Sequence, residues 1–338
     1  MRGLDIIISA GLGFLITTVL GLFLIPFLRK VKFGQPIIEE YGPTWHKKKQ
    51  GTPTMGGIMF ITGSIIAIVV GFCIYYFTLS SMGEVPQLVP ELTRLVTGVV
   101  MMLGFCLIGF IDDYIKVVKK HNEGLTEKQK FIAQVFVATA YLTATTLLNI
   151  TTTQIAIPFL GNIEFGWLYY PVCIILIVGI VNAVNITDGI DGLCSSITFF
   201  AAMTFMIISA FADARDVGIV ATALGASLIG FLIYNFYPAK IMMGDTGSLF
   251  LGGALVAMAF SLNLPFLLIL VGILYIIETV SVIIQRTYYK FTKKRLFKMT
   301  PIHHHFEMSG FSEVKIVLLF SVVEIIGCVL AVLWIISL

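Results

Sequence analysis

The chain alternates long apolar runs with short polar connections, and this pattern limits its fold more than any single motif does. Ten runs can be drawn, at about residues 4–28, 54–79, 93–115, 129–150, 166–185, 191–211, 216–236, 246–263, 265–289 and 314–337. A helix needs about 20 apolar residues to cross the hydrocarbon of a bilayer. The runs therefore predict an all-α, polytopic membrane protein with about ten transmembrane helices. A mean hydropathy of +0.97 excludes an ordinary soluble domain. Little length is left over and no internal repeat or linker is visible, so residues 1–338 read as one membrane domain. The run 265–289 is long for one crossing, which predicts that it tilts, bends or extends into water. The first run is long, lacks a small-residue cleavage pattern and has its basic cluster behind it, so it reads as a retained helix.

The basic residues give this bundle an orientation. Of the 22 Lys and Arg, 18 fall in the connections after the first, third, seventh and ninth runs, and Lys315 sits at the same edge. Only Arg2, Arg94 and Arg215 belong to the opposite side. Cytoplasmic loops carry the excess of cations, so both termini are predicted to be extracytoplasmic. A net charge of +3 concentrated at a membrane face carries no signal for nucleic acid. The five cysteines lie in apolar runs without a Cys-x-x-Cys pair and read as small buried side chains.

Against this background the acids are conspicuous, because a lipid-facing charge near the bilayer centre costs roughly 2.5–3.5 kcal/mol. Asp112-Asp113-Tyr-Ile-Lys116 closes the third run, and Lys116 is one helical turn from either acid. Asn185-Ile-Thr-Asp188-Gly-Ile-Asp191-Gly192 closes the fifth, its glycines suggesting an interrupted backbone that comes close to a ligand. Met243-Gly-Asp245-Thr-Gly-Ser248 opens the eighth, where Asp245 serves either as a helix cap or as a ligand beside exposed N–H groups. Pro301-Ile-His303-His304-His305-Phe-Glu307 lies in a basic connection, and Thr52-Pro-Thr54-Met-Gly-Gly57 opens the second run. Consecutive histidines point in different directions, so phosphate contact or proton transfer suits them better than one shared metal. Every cluster falls on the predicted cytoplasmic side. Adjacent carboxylates, lysines and histidines at one water boundary suit phosphate and divalent-cation chemistry. An ion-coupled transporter is the other class compatible with intramembrane acids such as Glu278 and Glu324, but its sites belong at the midplane. An interhelical hydrogen bond is the simpler reading of those two glutamates.

Taken together, the five motifs resemble those of the polyprenyl-phosphate N-acetylhexosamine-1-phosphate transferases, in the expected order and over residues 52–307. The Thr-Pro-Thr-Met-Gly-Gly and Pro-Ile-His-His-His-Phe-Glu stretches are similar to the branch that handles a muramoyl pentapeptide rather than to the GlcNAc-1-phosphate branches. The resemblance implies transfer of phospho-MurNAc-pentapeptide from UDP-MurNAc-pentapeptide to undecaprenyl phosphate, with Mg²⁺, giving lipid I and UMP. It also implies a homodimer. By the same resemblance Asp245 is the Mg²⁺ ligand, Asp112 deprotonates or orients the lipid phosphate, and Asp113 supports it or the metal. Asn185, Asp188 and Asp191 then line the nucleotide side, and Lys49, Thr54 and Asn235 are polar contacts to nucleotide or sugar. Lys116, Lys128 and His303, His304 and His305 contact phosphates, with His303 placed among the catalytic groups. Some relatives carry an aromatic residue for uracil where this chain has Met242.

Overall fold

The computed structural model describes residues 3–31, 51–83, 88–119 and 124–337. Twelve α-helices run through them: α1 (Leu4–Lys30), α2 (Gly57–Met82), α3 (Leu88–Lys119), α4 (Glu127–Leu147), α5 (Tyr169–Thr187), α6 (Leu193–Phe211), α7 (Arg215–Asn235), α8 (Gly244–Ser261), α9 (Leu267–Val271), α10 (Ile273–Thr292), α11 (Ile302–Glu307) and α12 (Glu313–Ser337). The fold is the expected all-α polytopic one. Among the described residues, eight helices are long and apolar enough to cross a membrane: α1 to α7 and α12. The sequence reading counted ten runs, and the difference has two causes. α8 opens on the polar turn Gly244–Ser248, which dilutes its apolar content over 18 residues. The run 265–289 breaks at Gly272 into α9 and α10, and the N–H of Leu274 exposed by the break is taken by Glu324 Oε2 of α12 at 3.2 Å. Glu324 thus makes the interhelical hydrogen bond expected of it.

α8 is the axis of the fold. All its residues except Asp245 and Ser261 are buried, against α3, α5, α2 and α6. A helix that is apolar on every side is stable only when surrounded, and α8 is surrounded. α1 lies at the edge with α2 and α7, and turns small or polar residues inward at Ser9, Gly13, Thr17 and Gly21.

The two ends of the bundle differ. At one end, Arg94 pairs with Asp216 (2.9 Å) and Arg215 forms a two-pronged pair with Asp5 (2.6 and 2.7 Å). The described cations of the sparsely basic side are therefore neutralised inside the protein. The connection between α4 and α5 at this end contains a feature that the sequence reading missed. It is an antiparallel hairpin of β1 (Gln154–Ile157) and β2 (Gly161–Glu164), with Ile155 opposite Ile163. The cysteine expectation holds for Cys173, Cys194 and Cys328, but Cys106 is half-buried and Cys73 is exposed on α2. The other end gathers the C-termini of α3, α5 and α7 and the N-termini of α4 and α8, and it holds the polar motifs.

Candidate active site

The site starts from the way α8 begins. Gly244 has φ +72°, a conformation that side chains other than glycine avoid, and a methyl there would lie 2.6 Å from Asp113 Oδ2 and 2.8 Å from Thr54 Oγ1. The first N–H groups of any helix lack intrahelical partners. Here Asp113 of α3 supplies them. Its Oδ1 accepts from the N–H of Asp245 at 3.2 Å, and its Oδ2 accepts from the N–H and hydroxyl of Thr246 at 2.9 and 2.6 Å. Asp245 is therefore not the cap of its own helix, and its carboxylate is released for other contacts. The Thr52–Gly57 motif is bound to the same corner through its backbone, the N–H of Met242 donating to Pro53 (2.9 Å) and the N–H of Gly56 to Met242 (2.9 Å). This brings Thr54 in beside Asp113, its buried hydroxyl making no hydrogen bond.

Asp112, one residue earlier, faces the opposite neighbour. Its Oδ1 accepts from the N–H of Leu125 at 2.8 Å, and its Oδ2 pairs with Lys116 at 2.5 Å and Lys130 at 3.3 Å. Both lysines continue to Asp245 Oδ2, at 3.1 and 2.6 Å. Asn185 of α5 donates to Asp245 Oδ1 and to Ser248, both at 2.8 Å. One oxygen from each of Asp112, Asp113 and Asp245 lies within 4.8 Å of the others. Asp112 and Asp113 are 1% and 2% exposed, so the i,i+4 pair of Asp112 with Lys116 lies inside the protein rather than at a solvated helix end. A buried charge left without its partner is costly, which holds for Asp112, whereas the Asp245 side chain is 18% exposed and can be met by water.

Lys130 was not singled out from the sequence, where it stood as one cation among several in a loop. Its signal was Thr126-x-x-Gln129. The two side chains cap each other's backbone N–H at 3.0 and 3.3 Å, which starts α4 at Glu127 and turns Lys130 inward one turn later. Lys128, two residues away, is exposed. Lys49 lies outside the described residues.

A second cluster adjoins the first through α5. Asp188 ends that helix half-buried. Asp191 does not cap α6: Gly192 occupies the cap position, and Asp191 Oδ2 accepts from the N–H of Ala239 at 2.8 Å while its own N–H donates to Glu313 of α12 at 2.9 Å. His303 is fully buried, with Nδ1 3.1 Å from Glu278 Oε1 and Nε2 without a hydrogen bond. A methyl on Gly189 would lie 2.2 Å from that Nε2, so the ring packs on the backbone between Asp188 and Asp191. His304 meets Glu307 at 2.6 Å, and His305 Nδ1 accepts from the N–H of Lys298 at 3.2 Å. The three histidines thus go to three different partners. Asn235 is 1% exposed, accepting from Ser195 (2.8 Å) and donating to the carbonyl of Ile241 (3.0 Å), so both ends of its amide are used within the protein. Met242, in the place where some relatives have an aromatic ring, is half-buried.

The chain is similar in sequence to known proteins. Residues 95–263, which include Asp112, Asn185 and Asp245, match the family described as Glycosyl transferase family 4. Residues 49–61, which include the Thr52–Gly57 motif bound to the start of α8, match the first signature of phospho-N-acetylmuramoyl-pentapeptide-transferase. Proteins of that description are similar along almost the whole chain. The one from Halalkalibacterium halodurans is 44% identical, covering 95% of this chain and 94% of its own. That from Bacillus subtilis is 43% identical (95% of each), and that from Clostridium perfringens 42% identical (96% and 97%).

Proposed function

Because the chain belongs to the phospho-N-acetylmuramoyl-pentapeptide transferases, we propose that the cluster of Asp112, Asp245, Lys116 and Lys130 is where its phosphoryl transfer takes place. The chain is a phospho-sugar transferase of peptidoglycan synthesis and a multi-pass bacterial membrane protein. It transfers phospho-MurNAc-pentapeptide from UDP-MurNAc-pentapeptide to undecaprenyl phosphate, giving lipid I and UMP. The observation that carries the assignment of the site is the sharing of both lysines between Asp112 and Asp245. Two anionic substrates must approach one another, and phosphoryl-transfer sites act by positioning and charge neutralisation.

The donor set suits a divalent cation. Hard oxygen ligands from one or two carboxylates, completed by phosphate oxygens and water, are what Mg²⁺ prefers. Asp245 and Asp112 would hold it, since both oxygens of Asp113 already serve the start of α8. When bound, the ion neutralises the diphosphate of the donor. Asp112 orients the acceptor phosphate or takes its proton. Lys116 and Lys130 shift from carboxylate to phosphate oxygens as substrates enter. Asn185 keeps Asp245 turned toward the centre, and Asp188, Thr54 and the His303–His305 segment border the nucleotide side. The basic asymmetry of the sequence supports a cytoplasmic site with both termini outside, and the resemblance supports a homodimer.

Purified protein is offered UDP-MurNAc-pentapeptide or UDP-GlcNAc with undecaprenyl phosphate, and the released nucleotide is separated by chromatography. Stoichiometric UMP from the muramoyl donor, lost in Asp245→Asn, is expected. UDP as product would mean attack at the sugar carbon and would discard this mechanism.

A further inference from the structure

α4 is held to the bundle loosely over its first two turns. Residues 126–129 are exposed, and the first buried side chain of the helix is Gln134, 1% exposed. The residues buried beyond it include Ala138, Tyr141 and Leu142, an apolar contact surface in which a glutamine is out of place. A buried amide without partners is costly, so the partners of Gln134 say why it is there. Nδ2 of Asn182, on α5, donates to Gln134 Oε1 at 2.7 Å, and Nε2 of Gln134 donates to Asn182 Oδ1 at 3.2 Å. Asn182 Nδ2 also donates to the carbonyl of Val178 at 2.8 Å. A carbonyl can only accept, so this third bond fixes which end of Asn182 is the NH₂ group, and through the reciprocal pair it fixes Gln134 as well.

The pair closes a ring with the aspartate cluster. Gln134 comes four residues after Lys130 on α4, and Asn182 three residues before Asn185 on α5, so each lies one helical turn from a residue of the cluster and on the same face. Lys130 reaches Asp245 Oδ2 at 2.6 Å, and Asn185 reaches Asp245 Oδ1 at 2.8 Å. α4 and α5 are thus joined twice, once through Asp245 by charge and once, a turn deeper, by two neutral amides. Among the described residues these amides bond only each other and Val178.

Hydrogen bonds between membrane helices contribute little net stability. What a single buried polar pair does well is fix register. The apolar side chains of α4 can slide along their neighbours at small cost. A slip of one residue is about 1.5 Å along the axis and about 100° around it, which parts the two amides and moves the root of the Lys130 side chain away from Asp245. We propose that Gln134 is a positioning residue for the transfer. Paired with Asn182, it sets the register of α4 against α5 and so holds the Lys130 ammonium where it bridges Asp112 and Asp245. It acts through Lys130 and makes no contact with substrate. The inference rests on the reading of Lys130 as a cation of the reaction.

The test compares Gln134→Met, Lys130→Met and the double variant in the full chain, by UMP release from UDP-MurNAc-pentapeptide and undecaprenyl phosphate in detergent, with the melting temperature of each measured alongside. Gln134→Met keeps the volume and removes the amide. Alone it should lower kcat about 10-fold, the scale of losing a group that orients a site residue from behind, with KM for the UDP substrate within about twofold of wild type. Added to Lys130→Met it should lower kcat by less than about twofold more, because nothing is left for it to position. Gln134→Asn keeps an amide one methylene short and supplies the same comparison if Gln134→Met does not fold. Thr145→Val breaks another buried hydrogen bond of α4, to the carbonyl of Leu142 and about three turns further along; it should lower the melting temperature and leave kcat unchanged. Equal fold-losses from the Gln134 substitution in the presence and absence of Lys130 overturn the proposal. So does wild-type kcat in the Gln134 variant when Lys130→Met is impaired, and so does a kcat loss in Thr145→Val as large as that in Gln134→Met. Wild-type kinetics in Lys130→Met itself removes the reading of Lys130 on which the inference rests, and takes the inference with it. The two failures are thus read from different variants.

Discussion

Asp113 and Asp245 lie in one cluster, yet their replacement by asparagine should have opposite consequences. Asp113 receives three donors from the first turn of α8, at 2.6 to 3.2 Å. Asparagine keeps one acceptor oxygen and turns an NH₂ group against backbone N–H or the Thr246 hydroxyl. Bonds to a charged acceptor contribute roughly 1.5–3 kcal/mol each, and a carboxylate at a helix N-terminus adds about 0.3–1 kcal/mol. With one or two of the three bonds lost, Asp113→Asn should lower stability by about 2–4 kcal/mol. At about 2–4 °C per kcal/mol for larger domains, its melting temperature should fall by roughly 4–16 °C. Asp245→Asn removes no bond from the backbone, and both lysines retain Asp112. Its melting temperature should stay near wild type, while turnover drops on the order of 10²–10³-fold and the residual activity loses its Mg²⁺ optimum. Melting is followed in detergent by static light scattering, and turnover by UMP release. If Asp113→Asn melts like wild type but is inactive, Asp113 is a chemical group rather than the cap of α8, and the division of labour argued from the geometry is wrong.

Three further variants probe other parts of the structure. Lys130→Met leaves Asp112 and Asp245 facing one another with Lys116 alone between them, so turnover should fall about 10- to 100-fold and activity should demand more Mg²⁺; unchanged kinetics would make Lys130 a bystander. Gly189→Ala places a methyl 2.2 Å from His303 Nε2, so the Asp188–Asp191 turn must shift; KM for the UDP substrate should rise more than tenfold with a smaller change in kcat, and equal kinetics would show that this turn does not touch the nucleotide side. Asp5→Asn breaks the two-pronged pair with Arg215 at the far end of the bundle; it should reduce stability by about 1–3 kcal/mol with kcat unchanged in the folded protein, as read by melting and turnover together.

The bundle was legible in the sequence because hydropathy acts over whole segments, and errors at single residues average out. Local conflicts were not legible. α8 and α10 both read as apolar runs, yet α8 is buried on every side whereas no residue of α10 beyond Gln285 is buried. α10 carries Glu278, Arg286 and Lys290 where α8 carries only Asp245, and an average over a whole run blurs that difference. The hairpin at Gln154–Glu164 was overlooked because four-residue strands with one buried pair of positions leave almost no periodic signal. Cys73 was expected inside because its run is apolar, but in a membrane protein an apolar side chain is equally stable facing lipid.

The pair Asp112-Asp113 shows how much chemistry two identical neighbours can conceal. In sequence they are interchangeable. On a helix, successive side chains diverge by about 100°, so the end of α3 necessarily turns one acid toward each of two partners. Asp113 turns to α8, where uncapped N–H groups wait, and becomes part of the frame. Asp112 turns to the start of α4, where Leu125 fixes one oxygen and Lys116 and Lys130 crowd the other. The same capping contact that takes Asp113 out of the chemistry is what brings Asp245 in, because a helix capped from outside has no further use for its own first-turn acid as a cap. One structural carboxylate therefore frees another, and the reacting pair, Asp112 and Asp245, comes from helices that the third acid holds in register.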